Sequence, residues 1–476
     1  MKSLLIACSL LFSQPYLGNT IPSSLIQDQV PEAAKVKSYP LVDTLLTSLL
    51  KQTKVAGLSI SVSRSGSLIY AKGFGHADVA NKVAMRPNHQ IRTASVAKVI
   101  TATALGRLAS NGLLDFDKPI GEYLPYLKAP YAQLTVRQIA GHTAGLPHRP
   151  EKKYTGKQYT QAKESLAFFK KDELLFEPGT GYRYSSLGYN LLAILIEEIS
   201  GKPYTNYMKE DVFAPLGMSQ TLPDDYKSFT KDDAKLYYFQ KGKLKAEKRA
   251  IDGSYKLAGA GFRSTSSDLV KLMDAYRTDF ISSPVVKEMF TGSQLKDGKP
   301  TFVGIGWRLN EDLAGNATIE HAGSWQGART VVVYYPEREL AISIMINTQC
   351  THFIEETTHL IAQYFLKETE QPTSKTLAMK DITVNNNRSD GSIERYEAEL
   401  IQSGLNGALQ IKTDRSWLKQ NDFYALPIEG GYALSTTYGL LYMKLEKEAK
   451  LNGAVYQYQV LSDQYHMRQG PMLSFK

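Results

Sequence analysis

The chain has 476 residues, enough for two or more domains and a large buried core, and its 43% hydrophobic and 22% charged residues are those of an ordinary soluble globular protein. No run after the N-terminus approaches a membrane-spanning length. The formal charge of +9 gives a mild attraction to anionic surfaces, compatible with peripheral association with a membrane or cell wall. The basic residues are scattered, without aromatic-interleaved patches or a zinc-finger pattern, so they describe a solvated surface rather than a nucleic-acid site.

In chain order, residues 1–20, "MKSLLIACSLLFSQPYLGNT", have one lysine, an apolar run Leu4–Phe12, then Pro15 and Gly18. That is the layout of a secretory signal peptide and points to a periplasmic or secreted protein. "LIAC" at Leu5–Cys8 is similar to a lipobox, but too little apolar length precedes Cys8 for a lipid anchor to be favoured. Cys8 and Cys350 are the two cysteines, so no disulfide framework is built, and Cys350 fits a packed small hydrophobe.

"YPLVDTLLTSLL" has helical spacing, and "AGLSISVSRSGSLIYAKGFG" alternates toward Ser65-Gly66 and resumes beyond it as a hairpin. Arg92–Leu108 and "YNLLAILIEEIS" at 189–200 predict helices, "ARTVVVYYPERELAISIMIN" two strands around Pro336-Glu337, and "THFIEETTHLIAQYFL" a last helix. Strands at both ends of a helix-rich middle predict an α/β (α+β) domain over 35–368 whose sheet pairs early strands with late ones. A polar stretch over 369–385 predicts a linker. The short strand-like runs "ALQIKTD", "FYALPI", "GYALSTTYGLLYMKLE" and "AVYQYQVL" predict a β-rich C-terminal domain over 386–476.

The chemistry is concentrated in "RTASVAKVITATALGRL". The pattern S-x-x-K occurs at Ser95-Lys98 and also at Ser48-Lys51, Ser228-Lys231, Ser293-Lys296 and Ser416-Lys419, so the tetrapeptide alone means little. The setting of Ser95 is distinctive: no Asp or Glu occurs between Val79 and Leu114, and Lys98 lies in a run that is otherwise apolar or small. On a helix, positions i and i+3 share a face, and the free N–H groups at its start favour a developing oxyanion. A lysine desolvated there has a lowered pKa and can act as a base toward Ser95. The bland alternative is a helix-capping serine with a lysine that snorkels to water.

The rest of the chain resembles the serine β-lactamase and penicillin-binding-protein family, in its class C β-lactamase, DD-peptidase and esterase branch. The resemblance runs from about Val55 to Asn347. "SVAK" looks like its nucleophile motif, followed in order by "LASNGLLDFDKPIGEYLP", "VRQIAGHTAGLP", "FEPGTGYRYSSLGYNLLA", "PLGMSQT", "GAGFRSTSSDL" and "EHAGSWQGARTVVVYYPERELAISIMIN". It implies a β-lactamase/transpeptidase-like fold, with an antiparallel sheet, flanking helices and a helical subdomain. It further implies a serine hydrolase with no metal or organic cofactor, acting through an acyl-enzyme on a small-molecule ester, amide, peptide or β-lactam.

Carried over residue by residue, Ser95 is the nucleophile, and Lys98 and Tyr184 move its proton. Ser186 stands in "YSS" where the family has the asparagine of Y-x-N, so it offers substrate a hydroxyl in place of an amide. "HAG" at His321–Gly323 falls where β-lactamases have K-T-G. Gly323 lets substrate approach the backbone, and the N–H groups of Ser95 and Ser324 form the oxyanion hole. His321 replaces a permanent cation with a group that titrates near neutrality, which tilts the reading toward an esterase or peptidase. A true β-lactamase or cell-wall DD-carboxypeptidase is the alternative. A catalytically weak binding protein for peptidoglycan or a protein partner is the non-enzymatic rival. His142 fits a structural loop residue. His352, Glu356 and His359 share a helical face without a further ligand, so they describe a solvated helix face rather than a metal site.

Overall fold

The computed structural model describes residues 39–148, 158–169, 174–225, 229–248, 252–312, 314–349 and 354–366, and the backbone of eight strands between 379 and 475. The segment 1–20, His352 and Cys350 lie outside the described residues.

Helix α1 (Pro40–Thr53) starts with Pro40 in the first turn, where a missing N–H costs nothing. It leads into the hairpin of β1 (Gly57–Arg64) and β2 (Ser67–Asp78), turned at Ser65 and Gly66, both at positive φ. Short strands β3 (Val83–Ala84) and β4 (Ile91–Arg92) follow, then a single 3-10 turn at Ala94–Val96 that runs into α2 (Ala97–Ser110). The middle of the chain supplies α3 (Val136–Ala140), α4 (Gly188–Ser200), α5 (Tyr204–Tyr207), β5 (Leu222–Pro223), β6 (Tyr237–Gln240) and β7 (Lys243–Ala246). After these come α6 (Leu257–Ala260), β8 (Phe262–Ser264), α7 (Ser266–Lys271), α8 (Asp274–Arg277) and α9 (Ser283–Met289). The strands β9 (Arg308–Glu311), β10 (Ala317–Trp325), β11 (Ala328–Tyr335) and β12 (Leu340–Ile346) precede α10 (Ile354–Leu366).

The main sheet is antiparallel with seven strands in the order β3-β2-β1-β12-β11-β10-β9. Early and late strands meet as the sequence predicts: Leu58 lies opposite Ile346 and Arg64 opposite Leu340. Alternation then sorts the side chains to two faces. Leu58, Ile60, Val62, Val331, Val333, Ile342 and Ile344 form one core with α1 and α10. Val332, Tyr334, Ala341 and Met345 form the other with α2, α4 and the helical region. On that second face Ser61 Oγ meets both Ser266 and Ser267 at 2.9 Å, so small hydroxyl residues let α7 sit close to the strand.

Eight further strands form a closed antiparallel barrel: β13 (Met379–Asn387), β14 (Ile393–Gln402), β15 (Leu409–Thr413), β16 (Phe423–Ile428), β17 (Gly431–Thr436), β18 (Gly439–Leu445), β19 (Leu451–Leu461) and β20 (Gln464–Phe475). The three asparagines at 385–387 belong to β13, which pairs with both β14 and β20. Ring closure therefore draws into a strand a polar run whose composition suggests a linker.

Strands β17–β19 lie against α10 and β16–β17 against α1. Between barrel and sheet, α10 is buried from Ile354 through Ala362. This corrects the solvated face inferred from its sequence: Glu356 and His359 are each only 3% exposed. His359 Nε2 lies 2.7 Å from a carboxylate oxygen of Glu320 on β10, itself fully buried. Burial opposes protonation of His359, but the charge and hydrogen bond of Glu320, with Asp312 and Glu356 adding, raise its pKa above the ordinary 6.5. A raised folded-state pKa contributes stability that is fully present below the unfolded value and lost as pH rises through the folded one. The melting temperature is therefore expected to fall as pH rises above 6.5, and His359→Gln to flatten that part of the profile. Glu320→Gln, leaving one partner of a buried pair, should cost about 3 kcal/mol in thermal or denaturant unfolding.

Candidate active site

Ser95 sits on the 3-10 turn before α2, and the residue before it, Ala94, is held at φ 47°, a left-handed conformation that a non-glycine residue adopts only under constraint. Neighbours impose that constraint. The N–H and hydroxyl of Thr93 both donate to the Phe262 carbonyl at 2.9 Å, and Thr330 Oγ1 donates to the Arg92 carbonyl at 2.9 Å. Arg92 Nε lies 2.7 Å from Asp224 Oδ2 with both side chains buried. Burial pushes the Asp224 carboxyl up to about 6 against the pull of Arg92. The turn is thus fixed on one side by β11 and on the other by β8 and β5.

Gly323 on β10 packs onto this turn. A Cβ there would stand 2.5 Å from the Thr93 carbonyl oxygen and 2.7 Å from the Ser95 nitrogen, so only glycine lets the strand come this close. Strand β9 pairs with β10 over Ala317–Glu320. Among the described residues no strand covers the outer edge of His321–Trp325, and Ser324 on that edge is exposed.

Lys98 is fully buried in the first turn of α2. Its amine donates to the Gly259 carbonyl at 2.7 Å and shares a hydrogen bond with Ser186 Oγ at 3.0 Å. It also lies 4.8 Å and 5.3 Å from the ring centroids of Tyr184 and Tyr189. Desolvation, with the Arg308 charge adding, holds its pKa well below the ordinary 10.5. Other S-x-x-K lysines are different: Lys51 is exposed, and Lys296 pairs with Glu177 at the surface. The Lys98 environment requires Gly259, where a Cβ would sit 2.8 Å from the Ser186 carbonyl oxygen.

Tyr184 reaches the same point from the loop before α4. Its hydroxyl is hydrogen-bonded to those of Ser95 and Ser186, and burial raises its pKa above 10.0 against the opposing pull of Arg308 and these two hydroxyls. Beneath its ring, at 4.4 Å, lies His142, buried and at φ 64°, whose Nδ1 accepts the Ser185 N–H at 3.2 Å. Burial, with the charge of Lys98 next, keeps His142 well below 6.5, and it serves as a neutral prop under the loop.

His321 is 1% exposed, with its ring 6.3 Å from that of Tyr184. Its Nδ1 lies 2.7 Å from the Ala322 carbonyl, so Nδ1 carries the proton and Nε2 is left as an acceptor. Burial, with Arg308 and Lys98 adding, holds its pKa well below 6.5. It is a neutral acceptor at neutral pH, not a titrating group.

Ser95, Lys98, Tyr184, Ser186, His321 and Gly323 thus converge, and Ser324 follows on the same strand edge. Two residues in this neighbourhood escape the sequence reading. Arg308 is a buried cation on β9 whose field reaches Lys98, His142, Tyr184 and His321. His148 is half-buried with its ring 5.4 Å from that of Tyr184. Neither has a spacing signal relative to Ser95; both are brought in by tertiary pairing. Among the described residues no group of three or more histidine, cysteine, aspartate or glutamate side chains is arranged to hold a metal. Among them also, no helix is long and apolar enough to cross a membrane.

Known proteins share this arrangement of elements. Penicillin-binding protein 4* of Bacillus subtilis is 27% identical over 333 residues, 65% of this chain and 71% of the relative. Human serine beta-lactamase-like protein LACTB, mitochondrial, is 28% identical over 301 residues, and the match spans 48% of this chain and 55% of that relative's length. Among solved structures, the D-amino acid amidase of Ochrobactrum anthropi SV3 superposes with a TM-score of 0.59 at 23% identity, covering 68% of this chain and 98% of that one. The octameric penicillin-binding protein homologue of Pyrococcus abyssi superposes with a TM-score of 0.60 at 19% identity, covering 92% and 99%. The Beta-lactamase family model matches residues 42–364, and the chain belongs to that family of serine hydrolases.

Proposed function

We propose that the chain works through an acyl-enzyme at Ser95 on ester or peptide substrates. The observation that carries this reading is the hydrogen-bonded run Ser95–Tyr184–Ser186–Lys98, which joins a hydroxyl nucleophile to an amine whose pKa burial holds well below the ordinary 10.5. A neutral amine donates two hydrogens and keeps one lone pair for a proton. Tyr184 has a raised pKa, so at neutral pH it is a phenol and serves as a relay, while Lys98 is the base.

In the first step Ser95 Oγ attacks the substrate carbonyl carbon. Its proton passes to Tyr184 as that phenol gives its own to Ser186 and the Ser186 proton goes to Lys98. The oxyanion lies between the N–H groups of Ser95 and Ser324, each such donor being worth on the order of 100- to 1,000-fold in rate. As the carbonyl re-forms, the bond to the leaving group breaks and the relay runs backward to protonate it. Water then repeats the sequence on the acyl-enzyme and frees the acid. The Lys98 ammonium present in between is stabilised by the Gly259 carbonyl and the faces of Tyr184 and Tyr189.

The open edge of His321–Trp325 supports an extended substrate backbone lying alongside β10. The neutral, buried His321 supports an ester or peptide over a β-lactam, because no fixed cation stands at that position to hold a carboxylate. The N-terminal pattern supports export to the periplasm or medium. Against the binding-protein reading stands the burial of Lys98, which a binding surface does not need.

Ser95→Ala is expected to abolish hydrolysis of an activated ester and covalent labelling by an acylating probe, with the circular dichroism spectrum unchanged; wild-type turnover or labelling in that variant would sink the proposal. For the base, kcat/KM should rise with pH along an acid limb as Lys98 loses its proton, with a midpoint well below 10.5. Because the folded state binds this proton less tightly than the unfolded chain, the buried amine costs stability at neutral pH. Lys98→Met should therefore remove turnover while raising the melting temperature by about 2–4 °C.

A further inference from the structure

Arg92 stands three positions before Ser95, and it is tied to the hairpin that carries Ser324. Its backbone carbonyl accepts from Thr330 on β11, the residue opposite Gly323 in the β10–β11 register. Its guanidinium, on a side chain 1% exposed, reaches three groups at once. Nε lies 2.7 Å from Asp224 Oδ2, Nη1 donates to Gln326 Oε1 at 3.0 Å, and the central carbon lies 4.5 Å from the centroid of the Trp325 ring. Gln326 and Gly327, at φ 20° and 81°, form the tight turn between the paired Trp325 and Ala328. The same indole has the Lys256 amine 3.5 Å from its centroid, and Lys256 ends the 3-10 turn that leads into α6. Trp325 thus joins the segment before Ser95, the strand of Ser324 and the segment before Gly259.

Ser324 needs such an anchor. It is exposed on a strand edge that no described strand covers, yet its N–H must point to the same place as that of Ser95. The close packing of Gly323 on the Thr93–Ser95 turn fixes the strand at one point, before Ser324. One contact leaves the strand end free to rotate about it; a second, on the far side of Ser324, stops that. A planar guanidinium set against an aromatic ring and bonded to the adjoining turn supplies the second contact with a defined direction.

We propose that Arg92 and Trp325 form a clamp that aims the Ser324 N–H at the oxyanion, Trp325 acting through the strand and Arg92 acting through Trp325 and Gln326. Both are positioning residues, outside the relay that moves the proton. This rests on the acyl-enzyme reading of Ser95.

The test uses the full-length chain, with active sites counted by labelling to completion with a fluorophosphonate. Per labelled site, kcat/KM is measured for p-nitrophenyl acetate and Ki for phenylboronic acid. The boronic acid forms a bond from boron to Ser95 Oγ as the hydroxyl proton passes to the relay, and the tetrahedral adduct places an oxygen where the oxyanion would lie. Trp325→Leu is expected to lower kcat/KM about tenfold or more and to raise Ki by a similar factor. Trp325→Phe, which keeps an aromatic face, should stay within about threefold of wild type in both. Arg92→Lys, which keeps the charge and loses the planar fork, should behave like Trp325→Leu, and the double variant should be little worse than the poorer single one. Where Arg92→Lys does not fold, the two Trp325 variants decide.

A merely structural role would lower the labelled fraction and leave both constants per site unchanged, and that result would overturn the proposal. So would a loss of kcat/KM at constant Ki, which puts the indole against the substrate, or losses that simply multiply in the double variant. Ser95→Ala separates the two levels: turnover or labelling that survives there defeats the acyl-enzyme reading, whereas their loss beside unchanged constants in Trp325→Leu defeats only the clamp.

Discussion

The burial of one amine organises this site. Lys98 has no exposed surface, and an ammonium there would be costly to desolvate. Burial holds its pKa well below the ordinary 10.5, and the Gly259 carbonyl and the Ser186 hydroxyl satisfy its hydrogen bonds. That single requirement fixes the neighbours. Gly259 must lack a side chain for α6 to reach the Ser186 backbone, α2 must be apolar around the lysine, and Tyr184 must approach from the loop held up by His142. The strained Ala94 and the buried Arg92–Asp224 pair are further costs carried by the same few residues. The two cores on either side of the sheet offset them, and most of their side chains have no part in the chemistry.

Much of this was legible in the sequence because it rests on local periodicity. The β1–β2 hairpin, α1, α2, α4 and the β11–β12 pair all follow from alternation or 3.6-residue spacing, and the pairing of early with late strands follows from their placement around a helical middle. Ser95, Lys98 and Tyr184 are singled out by ordered motifs, and the fold brings them together. What escaped depends on contacts between distant segments. A helix with charged residues on one side reads as solvated until a barrel covers it, which is why Glu356 and His359 on α10 were misjudged. The titration expected of His321 from its type is cancelled by burial and by Arg308, a residue 13 positions away in sequence that β9–β10 pairing places opposite the neighbouring Glu320. His148 is half-exposed, polar and in a loop, and only its contact with Ser186 distinguishes it.

Strand β10 divides two electrostatic environments. Successive residues point to opposite faces, so Glu320 meets α10 while His321 meets the cleft. Each face holds a buried histidine, and the two are driven in opposite directions. His359 faces a carboxylate and is stabilised as an imidazolium. His321 is held neutral by burial first, with the charges of Arg308 and Lys98 adding. Arg308 lies opposite Glu320 in the β9–β10 register. Residues opposed in an antiparallel pair share a face, so Arg308 joins Glu320 on the α10 side, where its guanidinium lies 3.9 Å from Glu355, and the carboxylates of that face, Glu320, Glu355 and Glu356, stand apart from the cleft.

That partition bears on what the site can do. An acyl-transfer site must stabilise negative charge on a carbonyl oxygen while keeping its base unprotonated, and an excess of positive potential serves both needs. A carboxylate on the cleft side would raise the Lys98 pKa toward its ordinary value and work against the oxyanion at once. Placing Glu320, Glu355, Glu356 and Asp312, all buried, away from Lys98 avoids that. Strands β17–β19 lie against α10, and α10 in turn is tied through the Glu320–His359 pair to β10, the strand that carries His321, Gly323 and Ser324 beside Ser95.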